Sequence, residues 1–496
     1  MVEDLGLGLS QLIGNRPVDL SVKKLSPDGL LAICFQSRLD NIGLLVALLI
    51  GIYIRAHFVD QPMRFDEAST FNLFINHDWT QVFSYLAPNN HVLHTILVKL
   101  STVSLGNDPV AMRIPAFTFG TLCIVLMFCV SRILGGAGSF AALITATQPY
   151  LILFSTNARG YSLLVFFVLA LVILGYTVVL RPNLVKTIGF AFVAALGLLV
   201  MPTMAFPLTG IYCWLVWVAY KNGVSFKEFF LRHWIPGGIA IILLTGLLYT
   251  PVILHSGLAS IVNNEYVSAG TVETFITGLR WHLESTTRQF LRDLPTAFSL
   301  LLLAVTSFGI YRAYQTSGNR ITSLVLSCLI SAALLLLIKL RIPFDRTWIY
   351  FIPLLAIATD FGVNDVLTRV RRKTRLALYS VAVIAAIGLA SELTKTGAIR
   401  QNTETGIFPA GPAIGRYLAT HMQTGDGLFI ECCENYSLFY YLSLYGSARY
   451  TYSPEHTNQD NYYVVPNGKQ LKSITTEQSL DMIFEADGTK IYFKPK

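Results

Sequence analysis

Runs of about twenty apolar residues recur along this chain from Asn41 to Leu393, and no other feature constrains its fold as much. Each is long enough to cross a hydrocarbon layer of about 30 Å as a helix. No water at that depth satisfies backbone amides, so the segments must bond internally as helices. Composition agrees: 53% of the 496 residues are hydrophobic and only 13% charged, with a mean hydropathy of +0.55. A soluble domain carries roughly twice that charged fraction. The expectation is a polytopic α-helical membrane protein. Residues 1–38 are mixed and polar without a signal-peptide core, so the first long run is expected to be retained.

Eleven spans are expected, at about 41–59, 112–131, 138–155, 161–180, 186–203, 205–220, 235–254, 296–312, 321–340, 347–364 and 376–393. The run 89–106, "NNHVLHTILVKLSTVSLG", is short, carries Lys99 and reads as an amphipathic helix lying in the interface. With that choice one side gathers Lys23, Lys24, Arg38, Arg132, Arg181, Lys186, Lys221, Lys227, Arg312, Arg320 and "RVRRKTR" (Arg369 to Arg375). Short cytoplasmic loops concentrate Lys and Arg, so that side is expected to be cytoplasmic, with the N-terminus. An odd number of spans then puts the last hundred residues outside. The net charge of +8 follows from this topology and calls for no nucleic acid.

The expected organisation is a cytoplasmic segment 1–38, a transmembrane domain 39–394 with a first extracytoplasmic loop 60–111, and a small α/β domain 395–496. Within the last, "DGLFIECCE", "ARYTY", "NYYVV", "LDMIFEA" and "TKIYFKPK" read as short strands, with helical pieces near 411–422 and 435–444. The seven cysteines show no metal spacing; Cys34, Cys123, Cys129, Cys213 and Cys328 read as small buried hydrophobes. Cys432 and Cys433 are adjacent, a poor geometry for a mutual disulfide.

Four polar loops fall on the extracytoplasmic side: "RFDEAS" with "APNNHVLH", "TNARGYS", the stretch 255–295, and "LRIPFDRTW". Polar segments converging on one membrane face suggest a site. Asp66 and Glu67 stand just beyond a span, where an ionised carboxylate is costly without a task or partner. A carboxylate there is suited to take a proton from a hydroxyl acceptor, and adjacent carboxylates point apart, so the two are expected to differ in role. His91 and His94 share a helix face, with Asn89 or Asn90 as cap. Two imidazoles alone are weak evidence for a metal. Arg159 and Arg346 sit at the mouths of spans, where a guanidinium offers a planar fork to phosphate oxygens, with Asp345 beside Arg346. The loop 255–295 contributes His255, Glu265, Trp281, His282, Glu284, Arg288 and Arg292, an aromatic and charged stretch of helical period.

The Asp-Glu loop, "NNHVLH", "LGNDPVAMRIPAFTFG" and "ARGYS", in this order, resemble the GT-C membrane glycosyltransferases. The group that looks nearest contains protein O-mannosyltransferases and lipid A aminoarabinose transferase. The resemblance covers residues 40–165 well and "FDRTWIYFIPLL" moderately. It implies transfer of a sugar from a polyprenyl-phosphate carrier to a lipid, glycan or protein acceptor outside the cytoplasmic membrane, with inversion. Carried over by position, Asp66 is the expected general base, Glu67 its acidic neighbour and Arg346 the residue at the carrier phosphate. Arg64, Asn90, His91, His94, Arg159, Tyr161, His282 and Asp345 complete the expected substrate site. The Asn89-Asn90-His91 sequence departs from the His-Pro-Pro or acidic pattern of many relatives, and Arg159 stands where some carry a second acid. No metal ligand is therefore assigned, and a divalent ion is left open.

A transporter or flippase is the competing class. Its marks are mid-span ionisable residues or helices broken in matching halves. The spans carry almost no such charge, and the broken stretch "MPTMAFPLTG" has no counterpart in the other half. The expected location is a bacterial inner (plasma) membrane.

Overall fold

The computed structural model describes residues 32–85, 88–263, 270–316, 319–430, 435–446, 451–452, 460–469 and 480–495. Lys23, Lys24, Glu265, Cys432 and Cys433 lie outside these described residues. The helical part comprises α1 (Arg38–Val59), α2 (Phe65–Thr70), α3 (Val92–Leu105), α4 (Pro109–Ile133), α5 (Ser139–Thr147), α6 (Pro149–Ser155), α7 (Tyr161–Leu180) and α8 (Leu184–Val200). It continues with α9 (Ala205–Lys221), α10 (Ile235–Ser256), α11 (Val272–Leu291), α12 (Thr296–Thr316), α13 (Arg320–Lys339), α14 (Phe351–Arg369) and α15 (Arg372–Thr396).

Among the described residues nine helices are long and apolar enough to cross a membrane. The two other expected spans are shorter pieces. Residues 184–200 make the 17-residue α8, and the run 138–155 divides at Gln148 into α5 and α6. Pro149 causes the division, because it has no N–H to offer the carbonyl of Thr145. The freed carbonyls are taken by Arg55 of α1, fully buried, which donates to Thr145 O (3.2 Å), Ala146 O (3.0 Å), Gly51 O (3.1 Å) and Ser155 Oγ (3.0 Å). A cation inside the bundle thus repairs a helix break. Elsewhere helices meet through small residues. A Cβ on Gly309 of α12 would strike the Ala358 carbonyl of α14, and one on Gly362 would come within 2.6 Å of Gly309 Cα.

The helix α3 is 14 residues, about 21 Å, too short to span. It buries His94, Thr95, Val98 and Thr102 and exposes Leu100, Val103 and Leu105. At the opposite end of the bundle, Asp360 of α14 caps the start of α5. It accepts from the backbone of Gly138 (2.8 Å), Phe140 (3.0 Å) and Ala141 (3.1 Å) and from Ser131 Oγ (2.6 Å). Asp40 there ties α1 to Arg132 of α4 (3.3 Å) and to the Tyr379 hydroxyl of α15.

The C-terminal part holds α16 (Gly411–His421), β1 (Gly427–Ile430), α17 (Asn435–Leu444), β2 (Thr451–Tyr452), β3 (Asn461–Val465), β4 (Asp481–Ala486) and β5 (Thr489–Lys494). The sheet runs β2-β1-β3-β5-β4. β1 is parallel to β2 and β3, and β5 is antiparallel to β3 and β4. Ile414, Leu418, Leu428, Leu438, Val464 and Ile491 form its core. This small α/β unit docks on the loop after α1. Met63 N–H donates to the Tyr441 hydroxyl (2.7 Å), the Tyr440 hydroxyl donates to Asn107 O (2.5 Å), and Asn72 donates to Tyr436 O (2.9 Å).

Candidate active site

The loop after α1 is built by buried arginines. Arg113, entering α4, is fully buried and paired with Glu67, and it also donates to Val59 O (2.8 Å), Gln61 O (2.6 Å) and Pro62 O (3.1 Å). Glu67 further accepts the backbone N–H of Arg64 (2.9 Å) and of Ala158 (2.7 Å). Arg64 closes the turn after α15, donating to Ile399 O and Asn402 O at 2.5 Å each and to Gln61 Oε1 (3.1 Å). These bonds orient α2. Asp66, next to Glu67 in sequence, points elsewhere. Its N–H donates to Thr405 O (3.2 Å), and Phe65 N–H donates to Gly406 O (3.3 Å).

The Asp66 carboxylate meets Arg346, with Oδ2 3.0 Å from Nη1 and both side chains partly exposed, 15% and 11%. Arg346 begins the turn Asp345–Tyr350 that leads into α14. Its guanidinium stacks over Phe344 (4.6 Å) and lies 5.9 Å from the Tyr161 ring centre. Nη1 also donates to the Glu404 carbonyl (3.3 Å). Burial pushes the Glu404 carboxyl up from the usual range, against the pull of Arg346. The site therefore joins the first loop, the start of α7, the turn before α14 and the loop after α15.

Several expected substrate contacts are instead structural. Glu67 and Arg64 spend their polar groups inside the loop, because only buried partners can hold α2 at a span end. Asn90 is buried and donates to Val82 O (2.9 Å) and Ser84 O (2.7 Å) while accepting from Thr95 (2.7 Å), so it locks the entry to α3. Arg159, 2% exposed, braces the loop through Thr70 Oγ1 (2.7 Å) and Asn89 O (2.8 Å) and is closed to a phosphate. His91 Nδ1 accepts Gly160 N–H (2.9 Å), and its Nε2 faces Arg159 at 3.3 Å. Burial, then the adjacent guanidinium, hold its imidazole well below the usual histidine range. His94 is held at about 3 by burial and the same arginine.

His282 of α11 lies in a second cluster beside the site. It contacts Asp345 Oδ1 through Nδ1 (2.9 Å), and its Nε2 accepts the indole N–H of Trp348 (2.6 Å). Ser285 (2.5 Å) and Thr286 (2.9 Å) also donate to Asp345. Burial lowers the His282 imidazole, with Asp345 opposing. With both ring nitrogens engaged, His282 acts on the turn carrying Arg346 and has no free nitrogen for a sugar. Trp281, its neighbour, is 69% exposed.

Among the described residues no group of three or more His, Cys, Asp or Glu is placed to hold a metal ion. His91 and His94 do not fit one, since a buried guanidinium occupies the space before them. Sequence reading missed Arg55, Arg113, Thr405 and Glu404. The parity of the spans was a usable signal for the last two, because the loop after the final span must share the face of Asp66.

No protein-family model matches the chain, and no curated protein does. Among solved structures, the chain is similar to ArnT from Cupriavidus metallidurans bound to undecaprenyl phosphate. The TM-score is 0.58 at 12% identity, over 91% of this chain and 97% of that one. The same protein in the apo state gives 0.59, also at 12% identity and with the same coverage. The fold is that of these ArnT structures. At this identity the likeness is one of fold. This ArnT-like fold carries Asp66 and Arg346 in contact at one end.

Proposed function

We propose that the chain is a glycosyltransferase that moves a sugar from a polyprenyl-phosphate donor to a hydroxyl-bearing acceptor, with inversion, at the extracytoplasmic face of an inner membrane. The observation that carries this reading is the Asp66–Arg346 pair, 15% and 11% exposed, at the end of a GT-C bundle. The ArnT structure bound to undecaprenyl phosphate supports the carrier class. The loop charges support the orientation, with the N-terminus cytoplasmic and residues 395–496 outside.

In the proposed reaction the donor phosphate takes the Arg346 fork, and Asp66 is released from its partner. The acceptor oxygen attacks the anomeric carbon from the face opposite the phosphate. The carbon–phosphate-oxygen bond breaks, polyprenyl phosphate leaves with the bonding electrons, and the acceptor proton passes to Asp66. Arg346 stabilises charge growing on the leaving oxygen. Asp345, fixed by His282, Ser285 and Thr286, holds the turn that aims Arg346. Tyr161 and Glu404 flank the donor position. Glu67 and Arg113 keep α2 in place, so the carboxylate is positioned before substrate arrives.

The test is transfer by purified, reconstituted protein from a panel of polyprenyl-phosphate sugars. Asp66→Asn is expected to remove activity while the protein stays folded and inserted. Near-wild-type turnover by that variant removes Asp66 as the base.

A further inference from the structure

A second recess lies on the same end of the molecule, apart from the Asp66–Arg346 contact. It is a cleft of about 590 Å³ between the turn 75–78, which ends the helical run begun by α2, and the outer side of α3. Asn76, His77, Asp78, Lys99, Thr102 and Asn107 supply its polar lining. That size suits a ligand of small-molecule dimensions. The lining offers the Asp78 carboxylate and the Asn107 amide, while the Asn76 amide donates to Ser443 Oγ (3.2 Å), His77 Nε2 lies 2.8 Å from Asn72 O and the Thr102 hydroxyl donates to Lys99 O (3.0 Å). Its one lysine is already committed, since Lys99 Nζ donates to Ile75 O (2.6 Å) and His77 O (2.7 Å). The Lys99 ammonium and the Asp78 carboxylate balance in charge. A neutral partner with many hydroxyls fits this lining better than an anion does. Trp79, the next residue in the chain, is 45% exposed and adds an aromatic face at the rim.

The rim on the other side is apolar. Val103 lines the cleft and is 68% exposed, and Leu100 (50%), three residues earlier on α3, shares its face. An exposed apolar stripe on an interfacial helix faces acyl chains. Polar cleft and lipid-facing stripe therefore adjoin on one short helix, which matches an amphiphile with its head in the cleft and its chain along α3. The cleft edge and the proposed base lie along one helical run. The chain runs helically from Phe65 to Ile75 without interruption. Nine residues at 1.5 Å each separate Asp66 from the cleft edge by about 14 Å.

We propose that this cleft seats the hydroxyl-rich headgroup of a membrane-anchored acceptor, with its chain lying on Leu100 and Val103. The assignment as acceptor rests on the transferase reading above; the assignment as headgroup site does not. The probe is a dodecyl maltoside analogue with a diazirine in its alkyl chain, photolysed with the full-length protein in phosphatidylcholine vesicles. Label is expected to concentrate on Leu100–Val103, at least five-fold above the lipid-facing Ile242–Leu247 stretch of α10. It is expected to fall to that background with excess dodecyl maltoside, and in the Asp78→Ala/Asn107→Ala double variant. Both substituted side chains are exposed, and an unchanged thermal midpoint verifies folding. Asp66→Asn is expected to label as wild type does. Label spread evenly over α3 and α10, or undiminished in the double variant, overturns the headgroup site and leaves the Asp66–Arg346 reading untouched. Displacement by phosphatidylglycerol and not by dodecyl maltoside overturns the hydroxyl-rich assignment. Concentrated label together with normal transfer by Asp66→Asn retains the site and removes the transferase mechanism.

Discussion

Asp66 Oδ2 stands 3.0 Å from Arg346 Nη1, although one residue follows the first span and the other precedes the tenth expected span. In the proposed reaction this ion pair holds both groups until a phosphate competes for the guanidinium. Each group is then freed for a different task. Arg346→Ala is expected to lower kcat/KM for the lipid donor by about 10²- to 10³-fold, the scale for loss of one preorganised charge-stabilising donor. Its effect on acceptor KM is expected to be small. Steady-state kinetics with each substrate varied in turn measures this. Equal losses for both substrates point to a salt bridge that only holds the fold.

Glu67 differs from its neighbour in having no exposed atom to offer, since Arg113 and two backbone N–H groups consume its carboxylate. Glu67→Gln and Arg113→Gln are each expected to cost roughly 3–5 kcal/mol, because each leaves the other charge buried and uncompensated. Thermal unfolding in detergent reads the loss, and the double variant is expected to be less destabilised than the sum of the two. Wild-type stability with selectively reduced turnover in Glu67→Gln instead gives Glu67 a direct catalytic part.

Acid is expected to unfold the protein through its buried imidazoles. His91 and His94 stay neutral when folded, with His94 held at about 3. The unfolded chain binds protons on both below about pH 6.5. The stability they contribute is complete above that value and is lost as pH falls. The slope is at most about 1.4 kcal/mol per pH unit for each histidine. Thermal midpoints between pH 7.5 and 4.5 report it, and His94→Gln is expected to flatten the profile. Parallel wild-type and variant profiles contradict the assignment.

The C-terminal unit grips the loop after α1 through one hydroxyl in particular, that of Tyr441 against Met63 N–H. Tyr441→Phe strands that buried donor and is expected to cost about 1–3 kcal/mol. Protease protection of the loop 60–80 is expected to fall before global unfolding. Unchanged protection shows that packing of Phe71, Tyr440 and Tyr441 suffices without the bond.

Much of the architecture is legible in the sequence, since hydrophobic length and alternation are local properties. The strand at "NYYVV" and the helix at 435–444 are found where period and turn residues place them. The pairing of Asp66 with Arg346 is legible only through topology, because charge parity puts both loops on one face. The arginines that brace the site are not legible. Arg64 and Arg159 read as substrate contacts in sequence and Arg55 and Arg113 attract no assignment, and only the folded chain shows each bonded to backbone carbonyls. The same blindness turns Asn90 and Glu67 into apparent ligands, because a buried polar residue near a site resembles a functional one until its partners are seen.

Binding of undecaprenyl phosphate, without any sugar, isolates the role of the ion pair. Affinity for wild type, Arg346→Ala and Asp66→Asn is measured by titration in nanodiscs. Arg346→Ala is expected to bind at least ten-fold more weakly. Asp66→Asn is expected to bind as tightly as wild type or tighter, because it removes the carboxylate that competes for the guanidinium. Equal affinity in all three proteins contradicts a phosphate site at Arg346.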